Sequence, residues 1–300
     1  MTPTPHICIC ICTYKRASLL KRLLLAIDKQ KTQDLFTYSA VIVDNDAARS
    51  AEETMRQCEP NLSFPVEYRV EPRQNISLAR NMAVASARGD YLAFIDDDEF
   101  PIENWLFFLF TACNEYSVDG VLGPVLRHFD EPPPLWVLKG SFYDRPVFKT
   151  GTDLRWTDGR TGNVLLRRHV FAGNEEPFRS ELRGGEDRDF FRRMIEMGYH
   201  FTWSSEAVVH EVVLPIRWTR TFMLRRALLR GAVALATGPV GPVELAKSLL
   251  ATALYSAALP FALLLGQHRF MDLLVRLFDH LGKLLAFLGL NPVREPYVTE

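Results

Sequence analysis

Apolar runs that end in polar clusters recur through the first two-thirds of the chain, with stretches of helical spacing between them. Short continuous apolar runs predict strands buried on both faces, and apolar residues three or four apart predict helices. The predicted strands lie at residues 6–12, 40–43, 66–70 and 91–95, and the predicted helices at about 19–27, 76–87 and 103–116. This alternation predicts a Rossmann-like α/β fold, with a mostly parallel sheet and helices on both faces.

Beyond residue 116 the predicted elements are shorter. Strand patterns cover residues 120–126, 161–166 and 207–209, and a helix pattern covers residues 187–197. Residues 130–157 include three consecutive prolines and show no sustained period. A segment of this length without periodicity predicts an ordered loop region near a functional site.

The C-terminal part of the chain has a different pattern of apolar and charged residues. Residues 248–267 contain no charged residue, although Pro260 interrupts them and Lys247 and Arg269 flank them. Such a stretch approaches the length of a membrane span. Contact with a membrane, through interfacial helices or a re-entrant pair, is favoured over a helical hairpin that covers the sheet or a dimer partner. We therefore predict two units, a catalytic domain at 1–220 and a membrane-associating helical region at 221–300.

Composition and charge narrow the possible partners. The 300 residues are 48% hydrophobic, enough for a large core, and the net charge of −1 gives no argument for a nucleic-acid partner. Arginines are concentrated at 217–230, with no acidic residue between Glu211 and Glu244. A cationic, apolar segment suits an anionic membrane surface or a diphosphate.

The five cysteines and the N-terminus predict a cytosolic protein. Cys8, Cys10 and Cys12 alternate with isoleucines along the first strand, without the paired spacing of zinc ligands. We expect reduced cysteines in the core. The N-terminus lacks the basic and apolar regions of a signal peptide, so secretion is not expected.

Three consecutive aspartates, Asp96, Asp97 and Asp98, follow the apolar run at 91–95. Ligands of open α/β sheets bind beyond the carboxyl ends of the strands, and carboxylates there can hold a divalent cation against a phosphate. An acidic turn that leads into a helix is the alternative interpretation.

Other polar residues are expected at the same edge of the sheet. Thr13 and Tyr14 follow the first strand, and Asp44 ends the second. Threonine and aspartate can bond to the edge of a nucleotide base, Tyr14 can stack on it, and Arg80 can reach the base or a phosphate. Each of these residues is weak evidence alone, since strand ends commonly carry aspartate.

Further candidates lie later in the chain. Asp187 follows Glu186 at a predicted helix start, where a carboxylate stays ionised and can accept a proton from a hydroxyl, although simple helix capping is the alternative. His210 could complete a cation's coordination shell, or could be an ordinary surface histidine. Arg217 and Trp218 could hold a diphosphate or an acceptor sugar.

Taken together and in order, the motifs resemble the family 2 inverting glycosyltransferases of the GT-A fold. The resemblance covers about residues 6–220. It rests on Cys12-Thr13-Tyr14-Lys15-Arg16, Val43-Asp44-Asn45-Asp46, Asn75 to Asn81, Phe94 to Glu99, Gly162-Asn163 and Gly185-Glu186-Asp187.

The resemblance implies a role for each matched residue. Asp187 would be the catalytic base and Asp98 would bind Mg²⁺ or Mn²⁺, and we add His210 as a candidate metal ligand from its own chemistry. The nucleotide-sugar site would comprise Thr13 and Asp44 at the uracil, Asp96 at the ribose, and Tyr14, Arg80, Asp97 and Glu186 nearby. Asn163, Arg217 and Trp218 would face the acceptor or the diphosphate.

The implied reaction moves a sugar, expected to be glucose, from a UDP-sugar to a polyprenyl-diphosphate-linked oligosaccharide. It would serve the biosynthesis of a surface glycan such as an exopolysaccharide, at the cytoplasmic face of a bacterial plasma membrane. Polysaccharide synthases of the family carry Gln-x-x-Arg-Trp, whereas Leu214 stands in the glutamine position here, which favours addition of a single sugar. A nucleotidyltransferase and a non-catalytic, membrane-tethered binding scaffold are the alternatives.

Overall fold

The computed structural model of the chain describes residues 3–182, 184–237 and 241–290. The strands are β1 His6–Thr13, β2 Thr37–Asp44, β3 Val66–Val70, β4 Tyr91–Ile95, β5 Glu99–Pro101, β6 Gly120–Leu122, β7 Val125–His128, β8 Asn163–Arg167, β9 Phe201–Trp203 and β10 Val209–Val212. The helices are α1 Ala17–Ile27, α2 Glu52–Cys58, α3 Ile76–Ser86, α4 Trp105–Glu115, α5 Leu135–Lys139, α6 Glu186–Glu196, α7 Arg220–Thr237, α8 Pro242–Leu264 and α9 Gln267–Phe287.

The main sheet has seven strands in the order β3-β2-β1-β4-β8-β6-β9. Strands β3, β2, β1 and β4 are parallel, β8 is antiparallel to both of its neighbours, and β6 is parallel to β9. The prediction of a mostly parallel sheet is confirmed. The antiparallel β8 has no signal in the sequence, because an apolar run does not indicate the direction of its strand.

The central strand β1 is buried on both faces. Ile7, Ile9 and Ile11 pack in one core cluster with α1 and α4, and Cys8 and Cys10 pack in a second cluster with α3 and α6. The described cysteines are free thiols, and those of β1, α2 and α4 lie in these clusters. The prediction of core cysteines is confirmed.

The strand predicted at 120–126 is wrong, because the chain leaves the main sheet at Gly123 and Pro124. Proline cannot donate a hydrogen bond to a strand ladder, so the pairing stops there. A Cβ atom at Gly123 would lie 2.3 Å from the carbonyl oxygen of Ala207, so this close approach requires glycine. Strand β7 instead joins a second sheet, in the order β5-β10-β7.

The C-terminal helices pack against one another and against the rest of the chain. Helix α9 contacts both α7 and α8. A third apolar cluster joins this region to the segment around α5 through Val137, Tyr143, Val213, Met223 and Met271. Among the described residues, α8 is long and apolar enough to cross a membrane, although only 11% of its most apolar window is buried.

Candidate active site

The carboxyl ends of three adjacent parallel strands meet at one edge of the main sheet. The register of β1 and β2 places Thr13 directly opposite Asp44, and β4, on the other side of β1, ends at Ile95, just before Asp96. The chain order reverses between β1 and β4, which is the position where ligands of open α/β sheets bind. The structure therefore brings together the predicted residues that follow β1, β2 and β4.

Thr13 and Asp97 are bonded to each other. The Thr13 hydroxyl donates to Asp97 Oδ2 at 2.8 Å, and Arg16 Nη1 donates to Asp97 Oδ1 at 2.8 Å. Burial raises the pKa of Asp97 to about 6, although Arg16 opposes the shift. These contacts tie the loop after β1 to the aspartates after β4.

Asp44 is fully buried and shapes the loop that follows β2. Its carboxylate accepts hydrogen bonds from the backbone N–H of Ala51 at 2.7 Å and from the Tyr68 hydroxyl at 2.9 Å. Burial is the main cause that raises the pKa of Asp44. Tyr14 lies half-buried in the neighbouring loop, with Lys15 Nζ 5.1 Å from the centre of its ring.

Asp98 is at the centre of a buried ion-pair network. Its Oδ2 atom lies 2.5 Å from Arg217 and 3.2 Å from Arg16. Arg217 also pairs with Glu211 at 2.9 Å, and Glu211 pairs with Arg145. Burial disfavours the charged form of Asp98, but Arg217 and Arg16 outweigh it and hold the pKa of Asp98 below its usual value.

Asp96 and Asp187 line the same polar cavity of about 230 Å³. The cavity lies between the end of β4, the start of α6 and the loop that precedes β8. Four arginines also line it: Arg80, Arg145, Arg160 and Arg188. Arg160 has no ion pair or side-chain hydrogen bond with any residue that the structure describes, and burial lowers its pKa. The cavity thus combines a candidate base with cationic groups suited to an anionic ligand.

The start of α6 positions Asp187. Gly185 precedes the helix with φ of +76°, a left-handed conformation that favours glycine. Burial raises the pKa of Asp187, and the like charge of Glu186 raises it further. Arg80 forms an ion pair with the buried Glu186 and lies 3.6 Å from Asp96, so it connects the start of α6 to the end of β4.

Glu99 is an unsatisfied buried carboxyl group beside the cavity. Its Oε2 atom accepts the backbone N–H of Asp96 at 3.1 Å, whereas its Oε1 atom has no partner among the residues described. Burial, followed by the charge of Asp96, raises the pKa of Glu99 well above its usual value. A Cβ atom at Gly162 would lie 2.8 Å from Glu99 Oε1, so glycine leaves room for the two acids.

Of the predicted site residues, Arg80, Asp96 and Asp187 line this cavity, and three of the others make their contacts elsewhere in the fold. Asn163 is fully buried, accepts the Trp105 indole N–H at 2.7 Å and donates to the Pro124 and Ala207 carbonyls, so it links elements of the fold. His210 stacks on Phe100, on the face of β10 opposite Glu211, and therefore faces away from Asp98. Trp218 packs against Phe129, with ring centres 5.7 Å apart.

The chain matches the sequence model of glycosyl transferase family 2 over residues 8–173, more than half of its length. The chain belongs to this family. The resemblance inferred from the motifs is confirmed, and the protein is a glycosyltransferase.

Two relatives illustrate how this family 2 glycosyltransferase compares with known proteins. It is 35% identical over 231 residues to the succinoglycan biosynthesis protein ExoM of Rhizobium meliloti (strain 1021), covering 76% of this chain and 74% of that protein. It is 26% identical over 212 residues to the glycosyltransferase AglE of Haloferax volcanii, covering 69% of this chain and 67% of that protein.

Solved structures share the fold. The structure of S. aureus TarS residues 1–349 in complex with UDP matches with a TM-score of 0.53 and 15% identity, covering 96% of this chain and 93% of that one. A second structure of S. aureus TarS 1–349 matches with a TM-score of 0.54 and 13% identity, with the same coverage. At these identities the likeness shows the fold alone, and the predicted GT-A fold of this glycosyltransferase is confirmed.

The carboxylates of the glycosyltransferase have the oxygen atoms that a divalent cation prefers, but they do not form a complete set of metal ligands. Within the described parts of the chain, no three His, Cys, Asp or Glu side chains form a metal-binding group. However, Asp98 offers the hard oxygen atoms that Mg²⁺ and Mn²⁺ prefer. Glu99 Oε1 has no partner among the residues described, and burial is the largest cause that raises the pKa values of Asp96 and Glu99.

Several residues of the site were not predicted from the sequence. Arg16 and Glu99 are the last residues of two of the quoted motifs, and this position was the available signal. Arg145 and Arg160 belong to the segment before β8, where no periodic pattern predicts a position. They reach the cavity through long-range folding of loops, for which a single sequence gives no signal.

Proposed function

We propose that this glycosyltransferase transfers one sugar, with glucose as the expected unit, from a UDP-sugar to a lipid-linked oligosaccharide. The observation that carries the proposal is the shared cavity of Asp96 and Asp187, lined by four arginines. A nucleotide diphosphate needs cationic partners, and an inverting transfer needs one carboxylate that faces the attacking hydroxyl. The cavity combines both requirements.

Asp187 is the proposed base. Its carboxylate takes the proton of an acceptor hydroxyl, the hydroxyl oxygen bonds to the anomeric carbon, and the bond from that carbon to UDP breaks on the opposite face. The configuration is therefore inverted. A raised pKa suits this role, since a stronger base removes the hydroxyl proton more readily.

The donor is proposed to bind at the strand ends. Thr13, Tyr14 and Asp44 would be near the uracil, and Asp96 near the ribose, with Arg80, Asp97 and Glu186 supporting them. Thr13, Asp44 and Asp97 already form hydrogen bonds with protein groups. We therefore expect them to act mainly by shaping the loops around the uracil. The family resemblance and the UDP in the TarS complex support a uridine nucleotide.

Asp98 is the proposed ligand of Mg²⁺ or Mn²⁺. The bound cation would supply positive charge near the departing diphosphate. Arg217 pairs with Asp98 and Glu211, so its proposed role at the diphosphate is indirect, through the position of these acids. His210, Asn163 and Trp218 are weaker candidates for ligand binding. Their side chains face away from the cavity or contact other residues within the fold.

The acceptor and location follow from the C-terminal region. We propose that residues 1–220 catalyse transfer, and that 221–300 hold this domain at the cytoplasmic face of a bacterial plasma membrane, where lipid-linked oligosaccharides are extended. The exposed apolar surface of α8, which Lys247 and Arg269 flank, supports contact with an anionic membrane. The name of ExoM supports a role in exopolysaccharide assembly.

The test is release of UDP from a panel of UDP-sugars, with and without Mn²⁺, in the presence of lipid-linked acceptor extracts. We expect one donor to be used and Asp187→Asn to lower turnover about 100-fold or more, as removal of a general base does. Binding of UDP, measured by calorimetry, should stay within about twofold of the wild type, because Asp187 acts on the acceptor.

Glu196→Gln is the matched control, since Glu196 is an exposed carboxylate on the same helix. It should keep full turnover. If no donor is used under any condition, the proposed UDP-sugar donor is wrong. If Asp187→Asn turns over normally, another group is the base.

A further inference from the structure

The outer face of α8 is apolar from residue 249 to the end of the helix. Leu250, Leu254, Phe261 and Leu264 are 62%, 60%, 69% and 85% exposed, and they recur at helical spacing. Between Lys247 and Arg269 the sequence contains no charged residue. An exposed apolar face of this size is unusual on a soluble surface and indicates a binding surface.

Helix α9 covers the opposite face of α8. The Ser248 hydroxyl lies 3.2 Å from His280 Nδ1, and the rings of Tyr255 and His280 are 5.8 Å apart. A turn at Gly266, with φ of +112°, joins the two helices. The start of the uncharged stretch is therefore beside residue 280, and the stretch runs antiparallel to α9 back to the turn.

Charged residues of α9 lie beside this same stretch. Asp272 pairs with Arg276 at 3.2 Å, and Asp279 pairs with Arg230 of α7 at 3.0 Å. Helix α7 is fixed closely to α9, since a Cβ atom at Gly282 would lie 2.2 Å from the Leu228 carbonyl oxygen. The three helices thus pack as one unit, with α9 in the middle.

This packing decides how α8 can meet a bilayer. With 23 residues, α8 is about 35 Å long, and the hydrocarbon core is about 30 Å thick, so length alone permits a span. A span would carry Asp272, Arg276 and Asp279 into the hydrocarbon beside it, where charged groups are strongly disfavoured. An α8 that lies flat keeps them on the water side.

We propose that α8 lies in the plane of an anionic membrane leaflet, with its outer face in the interface and α9 and α7 on the aqueous side. This inference rests on the proposed membrane association. Lys247 and Arg269, at opposite ends of the apolar stretch, are both exposed. In this orientation both cations reach the headgroups of the same leaflet, whereas across a bilayer they would face opposite leaflets.

The test measures the depth of single positions along α8 in the full chain. Cysteines replace Leu250, Leu254, Phe261 and Leu264 one at a time, carry an environment-sensitive fluorophore, and are quenched by lipids spin-labelled at different depths. The vesicles contain phosphatidylglycerol. A chain without added cysteine measures background labelling, which should be low because the native cysteines are buried or half-buried.

We expect the four positions to lie at similar depths, just below the headgroups. A spanning helix would instead spread Leu250 and Leu264 over about 21 Å of depth, from the rise per residue. Arg276→Cys, exposed on α9, is the control and should stay unquenched. A graded depth profile, or quenching at residue 276, would overturn the proposal.

Two further outcomes would also overturn the inference. Failure of the wild type to float with vesicles would remove the membrane association itself. A stable dimer that shields the four positions in the absence of lipid would assign the face to a second copy of the chain. Neither result bears on sugar transfer, which is measured separately through UDP release.

Discussion

Burial and neighbouring charges together decide the protonation of the carboxyl groups around the candidate site. Asp98 and Glu99 are adjacent and both buried, yet the pKa of Asp98 is lowered and that of Glu99 is raised. Arg217 and Arg16 contact Asp98, whereas one Glu99 oxygen has no partner in the described chain. Ion pairing therefore has a larger effect than burial on the pKa of Asp98, whereas burial has the larger effect on the pKa of Glu99.

The raised pKa of Asp187 predicts the pH dependence of turnover. A base acts when it is ionised, so kcat/KM should fall as the pH drops through the raised pKa of Asp187. Burial is the largest cause of the shift, and the charge of Glu186 is the next. Glu186→Gln removes this like charge, and we expect it to move the acid limb of the profile to lower pH.

The measurement is kcat/KM for the preferred donor as a function of pH, for the wild type and both glutamine variants. Glu196→Gln should leave the acid limb unchanged, since Glu196 is exposed at the far end of α6. An acid limb that stays in place, or moves to higher pH, in Glu186→Gln would contradict the assignment of this limb to Asp187.

Residues at strand ends could be predicted, and residues on loops could not. Thr13, Asp44 and Asp96 meet at one edge because parallel strands align their carboxyl ends, a rule that the sequence pattern can use. Arg145 and Arg160 come from irregular segments. Asn163 has the sequence context of a site residue, but its amide satisfies backbone and indole groups in the interior.

Helices and strands were predicted correctly where the sequence has a clear hydrophobic pattern. Strand β3 and helix α3 lie where their patterns predict them, within one residue. The failure at 120–126 has a physical cause, since apolar residues on both sides of Gly123 and Pro124 hide a change of sheet. Hydrophobicity reports burial, whereas the partner of a strand depends on distant parts of the chain.

The crossing of α7 and α9 predicts that alanine at Gly282 destabilises the protein. Alanine favours a helix over glycine by about 1 kcal/mol, but its Cβ would lie 2.2 Å from the Leu228 carbonyl oxygen. Overpacking of this kind costs about 1–3 kcal/mol. We therefore expect Gly282→Ala to lower the free energy of unfolding by up to about 2 kcal/mol, measured by denaturant titration in detergent.

Arg276→Ala provides the comparison on the same helix. It removes an exposed ion pair and should change the free energy of unfolding by less than about 1 kcal/mol. An increase in stability for Gly282→Ala would mean that the helices are further apart than the structure has them.

At the scale of the whole molecule, the apolar cluster around Val137 and Met271 holds the C-terminal helices to the segment that leads into the site. Arg145 follows Val137 and Tyr143 in that segment and pairs with Glu211 beside the cavity. Tyr143 also donates to the Arg217 carbonyl oxygen at 2.5 Å. The C-terminal helices and the candidate site are thus connected by packed side chains.

The exposed position of Leu254 on α8 predicts that membrane binding and chemistry can be separated by one substitution. Leu254 is 60% exposed and far from any charge in the sequence, so Leu254→Glu should leave the fold and the basal release of UDP unchanged. Burial of a leucine in an apolar environment contributes about 1.5–3 kcal/mol, so its loss should weaken vesicle binding about tenfold or more. Flotation with phosphatidylglycerol vesicles measures the binding.

Transfer to an acceptor embedded in those vesicles should fall in proportion to the bound fraction of Leu254→Glu. Met197→Glu is the matched control, because Met197 is 68% exposed at the end of α6, and it should bind vesicles like the wild type. Equal loss in both variants would point to a general effect of added negative charge. Retained binding of Leu254→Glu would show that another surface meets the membrane, since a carboxylate in the centre of an inserted face is strongly disfavoured.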